Sequence, residues 1–160
     1  MEMIKVGMAD YKATKSPGVL ITFGLGSCVG IALYDKSTKV SGLAHVMLPS
    51  SKEIKNNSNK AKFADTGIDA LIDEMVKLGA RKSNIVAKIA GGAQMFSFSS
   101  QNDMLRIGER NAIASKEKLK DHRIRILAED TGGNFGRTIE LNTETGELQI
   151  KTIGHGIKVV

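Results

Sequence analysis

The chain has a single cysteine, Cys28, in the stretch "TFGLGSCVGIALYD", directly behind Gly24 and Gly26. One of only three histidines, His45, follows in "GLAHVML". A free thiol titrates near about 8.5, so only a few per cent is thiolate at neutral pH. An adjacent imidazole can take the proton, hold an ion pair and lower the thiol pKa, which makes sulfur a nucleophile. The flanking glycines remove bulk, so a substrate backbone can come close, and the N–H groups of Gly26 and Ser27 are candidates to face a developing oxyanion. A third group usually orients the imidazole; Thr22 and Ser27 both offer a hydroxyl. A lone cysteine is also commonly a small buried hydrophobe, and a lone histidine in a strand a satisfied core residue. Their combination favours the nucleophile reading.

Whether the two meet depends on the elements that carry them. "GVLITF" (18–23) is short, β-branched and bounded by Pro17-Gly18 and Gly24, and "CVGIALYD" continues the strand pattern. "DKSTK" reads as a turn and "VSGLAHVML" as the return strand, ended by Pro49. If Tyr34 pairs with Lys39, then Leu33 faces Val40, Ile31 faces Gly42 and Cys28 faces His45. Directly opposed Cβ atoms lie about 4.5–5.5 Å apart. A one-residue bulge would flip the parity and undo the meeting.

Elsewhere, residues 3–9 read as a first strand and "SSKEIKNNSNK" (50–60) as a polar mobile loop. "KFADTGIDALIDEMVKLGA" is the clearest helix, with Phe63, Ile68, Leu71, Ile72, Met75 and Leu78 at three- and four-residue steps, Asp65 as a cap and Gly79 as the stop. "NIVAKIAGG" (84–92) is a strand and "AQMFSFSSQND" (93–103) a loop. A weaker helix spans 108–121, with Ala112, Ile113 and Leu119 toward the core. "RIRILAED" is a strand, and "RTIELNTETGELQIKTI" is a hairpin around Thr145-Gly146. Between them, "TGGN" (131–134) either lines the site or only reverses the chain; the turn is the favoured reading. Many strands, two helices and hairpins at both ends predict an α+β layered sandwich, with mostly antiparallel or mixed sheets covered by two helices. His122 and His155 carry no assigned role.

The 160 residues suit one domain spanning 1–160, with a core large enough to need no staples. A composition 41% hydrophobic and 25% charged is that of a soluble globular chain. One cysteine makes no internal disulfide, which points to a reducing cytoplasm. No stretch nears the roughly 20 apolar residues of a membrane span, and the N-terminus lacks a signal-peptide core. The net charge is +6, but the cations are dispersed, Trp is absent and the five Phe and two Tyr are scattered. That favours a solvated basic surface over nucleic-acid binding. One Cys and three separate His give no metal-ligand spacing, and "GLGSCVG" has no lysine at phosphate-loop spacing, so no cofactor is expected.

The compound pattern T-x-G-x-G-S-C with H-x-M-L-P downstream, extended by "KFADTGIDAL", "AKIAGGAQMF", "RIGERNA" and "EDTGGNFGRTIE", resembles the CheD family, the chemoreceptor glutamine deamidases of bacterial and archaeal chemotaxis. The resemblance runs through nearly the whole chain in order. It implies a fold related to deamidating bacterial toxins and a Cys-His-Thr set, with the nucleophile on Cys28, the base on His45 and the His-orienting hydroxyl on Thr22. It also implies hydrolysis of glutamine side-chain amides in methyl-accepting chemoreceptor helices, which adds a negative charge to the helix. Family members bind the chemotaxis phosphatase CheC. Met95 and Phe96 in "GGAQMF" are candidates for the receptor or partner surface, with plain core packing the other reading of Phe96. The loops at 50–60 and 97–103 are where variation among relatives is expected. Two rivals stay open: a non-catalytic regulator binding receptor and CheC, and another Cys-His acyl-transfer enzyme such as a protease or transglutaminase.

Overall fold

In a computed structural model describing residues 2–95 and 106–160, the alternating and β-branched runs resolve into ten strands and two α-helices. The strands are β1 (Met3–Lys5), β2 (Asp10–Lys15), β3 (Val19–Leu25), β4 (Val29–Asp35), β5 (Val40–Val46), β6 (Ile85–Gly91), β7 (Arg125–Thr131), β8 (Arg137–Asn142), β9 (Leu148–Thr152) and β10 (Gly156–Val159). The helices are α1 (Ala64–Lys77) and α2 (Ile107–Asp121). They cover one face of a sheet ordered β2-β5-β4-β6-β7, whose other face meets a second sheet ordered β1-β3-β8-β9-β10. Both sheets are mixed: β1 runs parallel to β3 and β6 parallel to β7, and the other pairs are antiparallel.

Strand parity sorts the core into two layers. Val29, Ile31 and Leu33 of β4 pack with Val40, Ala44 and Val46 of β5 against Ile68, Leu71, Ile72 and Met75 of α1. Cys28, Ala32, Leu43 and Ala90 face the other way, toward Leu20, Leu25, Ile139, Leu141 and Ile150 of the second sheet. β4 is buried along its whole length because it has a layer on each side.

Several expectations are corrected. The span 3–9 is only β1 plus a turn, and the polar run "DYKATK" forms β2, an edge strand paired with β5. The glycine-flanked tail forms β10 on β9. The 50–60 segment is a loop, as expected, with one short 3-10 turn at Ser51–Glu53 and a second, Lys60–Lys62, starting at its end. Asp65 lies inside the first turn of α1 rather than capping it; its carboxylate accepts from the N–H and hydroxyl of Ser51 instead. Ile113 is 47% exposed, while Ala112 and Leu119 are buried. No helix among the described residues is long and apolar enough to cross a membrane.

The β4–β5 register also differs. Asp35 pairs with Val40, Tyr34 with Ser41 and Gly30 with His45. The turn chemistry explains the two-residue offset. The Asp35 carboxylate accepts from the N–H and hydroxyl of Ser37 and from the N–H of Thr38, anchoring the turn one residue later than expected. Lys39 takes φ +59, a left-handed conformation that no ladder position tolerates. An offset of two in the pairing sum preserves parity, so Cys28 and His45 still face the same side.

Candidate active site

Cys28 lies just before the β4 ladder and is 7% exposed. Its approach is set by a bulge in β3, between the pairs Thr22–Ile139 and Leu25–Arg137. Gly24 supplies the φ of +69 there. The bulge lets both Thr22 and Leu25 face inward although their spacing is odd. On the other side, Gly91 (φ +110) presses its backbone on Cys28, where a Cβ would overlap the Cys28 carbonyl oxygen. The N–H of Gly92 donates to that same oxygen at 2.8 Å.

His45 is 1% exposed on β5, facing the second sheet. Directly opposite it stands Gly30, so Cys28 is a diagonal rather than a direct neighbour. Diagonal neighbours on one face are about 7–8 Å apart at the backbone, a span an aromatic ring can bridge. The Thr22 hydroxyl reaches from the second sheet, donating to the Val6 carbonyl at 2.7 Å and lying 2.7 Å from His45 Nδ1. The Val6 carbonyl can only accept and a hydroxyl has one proton, so Nδ1–H donates to Thr22. The Nε2 lone pair is then left bare, and Nε2 is buried with no hydrogen-bond partner among the described residues.

Burial raises the Cys28 thiol pKa, only partly countered by its own backbone N–H, and pushes His45 down to about 4. Burial thus works against the expected resting ion pair, because it disfavours the charged form of each group. The arrangement can act as thiol plus general base, with the proton moving when an electrophile arrives.

The depressed His45 pKa sets a pH dependence of folding. The unfolded chain, with His near about 6.5, binds the proton first as pH falls. The contribution is complete above that value and is lost between it and about 4. By pH 5 the wild type should lose on the order of 2 kcal/mol more than His45→Gln. Urea unfolding of both proteins at pH 7.5 and 5 checks this; parallel losses would contradict it.

The other sequence candidates fall as follows. The Gly26 N–H is taken by the Gly24 carbonyl at 3.0 Å, and its carbonyl accepts from Ala93. Ser27 is half-buried beside Cys28. Met95 is 46% exposed and covers Gly26, where a Cβ would sit 3.2 Å from its Cγ. Phe96 lies outside the described residues. The "TGGN" turn abuts the site: Gly132 N–H donates to Gly91 O and Gln94 N–H to Gly133 O. His122 pairs with Asp69 at 2.6 Å, and the His155 ring lies 4.4 Å from that of Phe135, centroid to centroid. Among the described residues no three His, Cys, Asp or Glu side chains gather to hold a metal.

Two residues at the site carried no role in the sequence reading. Arg137, 1% exposed, donates to the carbonyls of Gly91 and Gly132 and pairs with Asp130, tying the second sheet to the Cys28 flank. Asn111 of α2, fully buried, donates to the carbonyls of Ser27 and Met47. Both lie in the motif stretches "GGNFGRTIE" and "RIGERNA", but nothing local signals their partners.

Fold and site define an α+β protein with a thiol and an oriented imidazole at the junction of two mixed sheets. The profile "CheD chemotactic sensory transduction" matches residues 47–152. The chain is 66% identical over 153 residues to the "Probable chemoreceptor glutamine deamidase CheD" of Lachnoclostridium phytofermentans, covering 96% of this chain and 95% of that one. It is 61% identical over 159 residues to the protein of the same name from Caldanaerobacter subterraneus subsp. tengcongensis, covering 99% and 98%. The "Chemoreceptor glutamine deamidase CheD" of Halalkalibacterium halodurans is 52% identical over 160 residues, with 99% of each chain covered. The chain belongs to the CheD family. In fold alone it is similar to Bacillus licheniformis hypothetical protein YfiH, with a TM-score of 0.50 and 16% identity, covering 76% of this chain and half of the length of that one.

Proposed function

We propose that this protein is a chemoreceptor glutamine deamidase, a cytoplasmic protein-glutamine glutaminase that converts glutamine side chains of methyl-accepting chemoreceptors to glutamate. The observation that carries the reading is the Thr22–His45 hydrogen bond, which commits Nδ1 and leaves Nε2 bare on the side of the sheet that holds Cys28. The full-length likeness to proteins named for this activity supports it.

In this mechanism the Cys28 sulfur attacks the amide carbon as His45 Nε2 takes the thiol proton. Charge develops on the amide oxygen, and the N–H of Cys28 or Ser27 is the local donor suited to meet it. The imidazolium is held by Nδ1–H to Thr22, and it returns the proton to the departing ammonia. Water, deprotonated by Nε2, then cleaves the thioester, releasing glutamate and the thiol. Neutral resting groups, which burial favours, suit this sequence, because the ion pair forms only beside substrate. The 1–160 chain acts as one catalytic domain, related in this reading to the deamidating toxins. Met95 contributes to the surface that meets the receptor or CheC.

Incubating the protein with the cytoplasmic fragment of a chemoreceptor and taking intact masses and peptide maps tests this. The expected result is the small mass gain of amide-to-acid conversion at defined glutamines. Cleavage of the fragment would indicate a protease. Binding without any mass change would replace the reading with a non-catalytic regulator.

A further inference from the structure

We propose that Asn111 is a positioning residue that fixes the nucleophile segment against the base strand; the inference rests on the deamidase reading for its activity arm. The β4–β5 ladder stops at Val29–Val46, and the two chains then part. The Met47 N–H goes to Lys62 O, and the Cys28 carbonyl accepts from Gly92, so neither bonds to the other. The ladder between the two strands thus ends where Cys28 and His45 sit.

Asn111 bridges the two chains past the end of that ladder. Its Nδ2 donates 2.9 Å bonds to Ser27 O and to Met47 O, one residue before the nucleophile and two after the base. Both partners can only accept, which fixes the amide orientation. Its Oδ1 is then buried with no partner among the described residues. Burying an orphan acceptor is costly, so a residue present only to fill space would be apolar. The approach of α2 is itself permitted by Gly108, where a Cβ would overlap the Ala93 carbonyl oxygen. One amide thus does across the parted strands what ladder hydrogen bonds do elsewhere, and it sets the Cys28–His45 separation.

The test compares Asn111→Ala and Asn111→Asp with Leu119→Ala, a buried core change on the same helix away from the site. For Asn111→Ala the expected result is a kcat about a hundredfold lower at nearly unchanged KM for the receptor fragment. The pH midpoint of Cys28 alkylation by iodoacetamide should shift to lower pH, because the loosened thiol regains water. Turnover and thiol ionisation then move in opposite senses, which general destabilisation does not produce; Leu119→Ala should change neither. The isosteric Asn111→Asp, whose carboxyl has at most one O–H where Nδ2 has two N–H donors, cannot bridge both carbonyls and should lower kcat as Asn111→Ala does. Folded Asn111 variants with wild-type kcat and an unshifted alkylation midpoint would overturn the proposal. If Asn111→Ala does not fold, Asn111→Ser, which cannot reach both carbonyls, decides by kcat and the alkylation midpoint. If the wild type modifies no receptor glutamine, the deamidase reading fails, and the alkylation arm, which needs no receptor, still decides for or against the clamp.

Discussion

Cys28→Ala is expected to reduce receptor deamidation by about ten-thousand-fold or more while leaving the protein folded. Without sulfur no thioester forms, and the bare Nε2 can only activate water against an unactivated amide. The structural change is small. Cys28 contributes one sulfur to the between-sheet cluster, among Leu25, Ala32, Leu43, Ala90 and Ile139. Losing it should cost about 1 kcal/mol of stability. Urea unfolding and receptor binding should stay near wild type while the mass gain of the receptor fragment disappears. Deamidation by the alanine variant at a rate near wild type would remove Cys28 from the mechanism and leave the partner-binding role as the better account.

The second large effect is at the imidazole. His45→Ala should lower kcat by about a thousandfold, because the thiol, with its pKa raised by burial, then has no local base. Thr22→Ala should lower it less, by about ten- to a hundredfold, because Thr22 orients the ring without moving the substrate's proton. Its loss strips Nδ1–H and the Val6 carbonyl of their shared partner and frees the ring to turn. The two are separated by pH: raising pH should partly rescue His45→Ala as thiolate forms without a base, but should do little for Thr22→Ala. Equal losses, or rescue of both alike, would contradict this division of labour.

The legible part of this molecule was local. The strand that follows Cys28, its turn and the return strand with His45 are contiguous, and their alternating burial can be read from residue order alone. Parity survived the misplaced turn because an offset of two returns each side chain to its own face. The turn itself was misplaced because the Asp35 carboxylate binds three local donors, a preference stronger than the count of residues suggested. β2 and β10 escaped notice because their sequences have too little apolar alternation; they are strands only because β5 and β9 offer them edges.

By itself the sequence determined which groups are available, that Cys28 and His45 share one face of a hairpin, and which family the motifs resemble. Only the tertiary structure decided that Thr22 reaches the histidine from the opposing sheet, that Asn111 spans the parted strands, and that burial raises the thiol pKa and lowers that of the imidazole. The reason is physical. Hairpin register is set by neighbours along the chain, whereas hydrogen bonds between layers and the loss of water around a thiol and an imidazole exist only once two sheets and a helix have closed on each other.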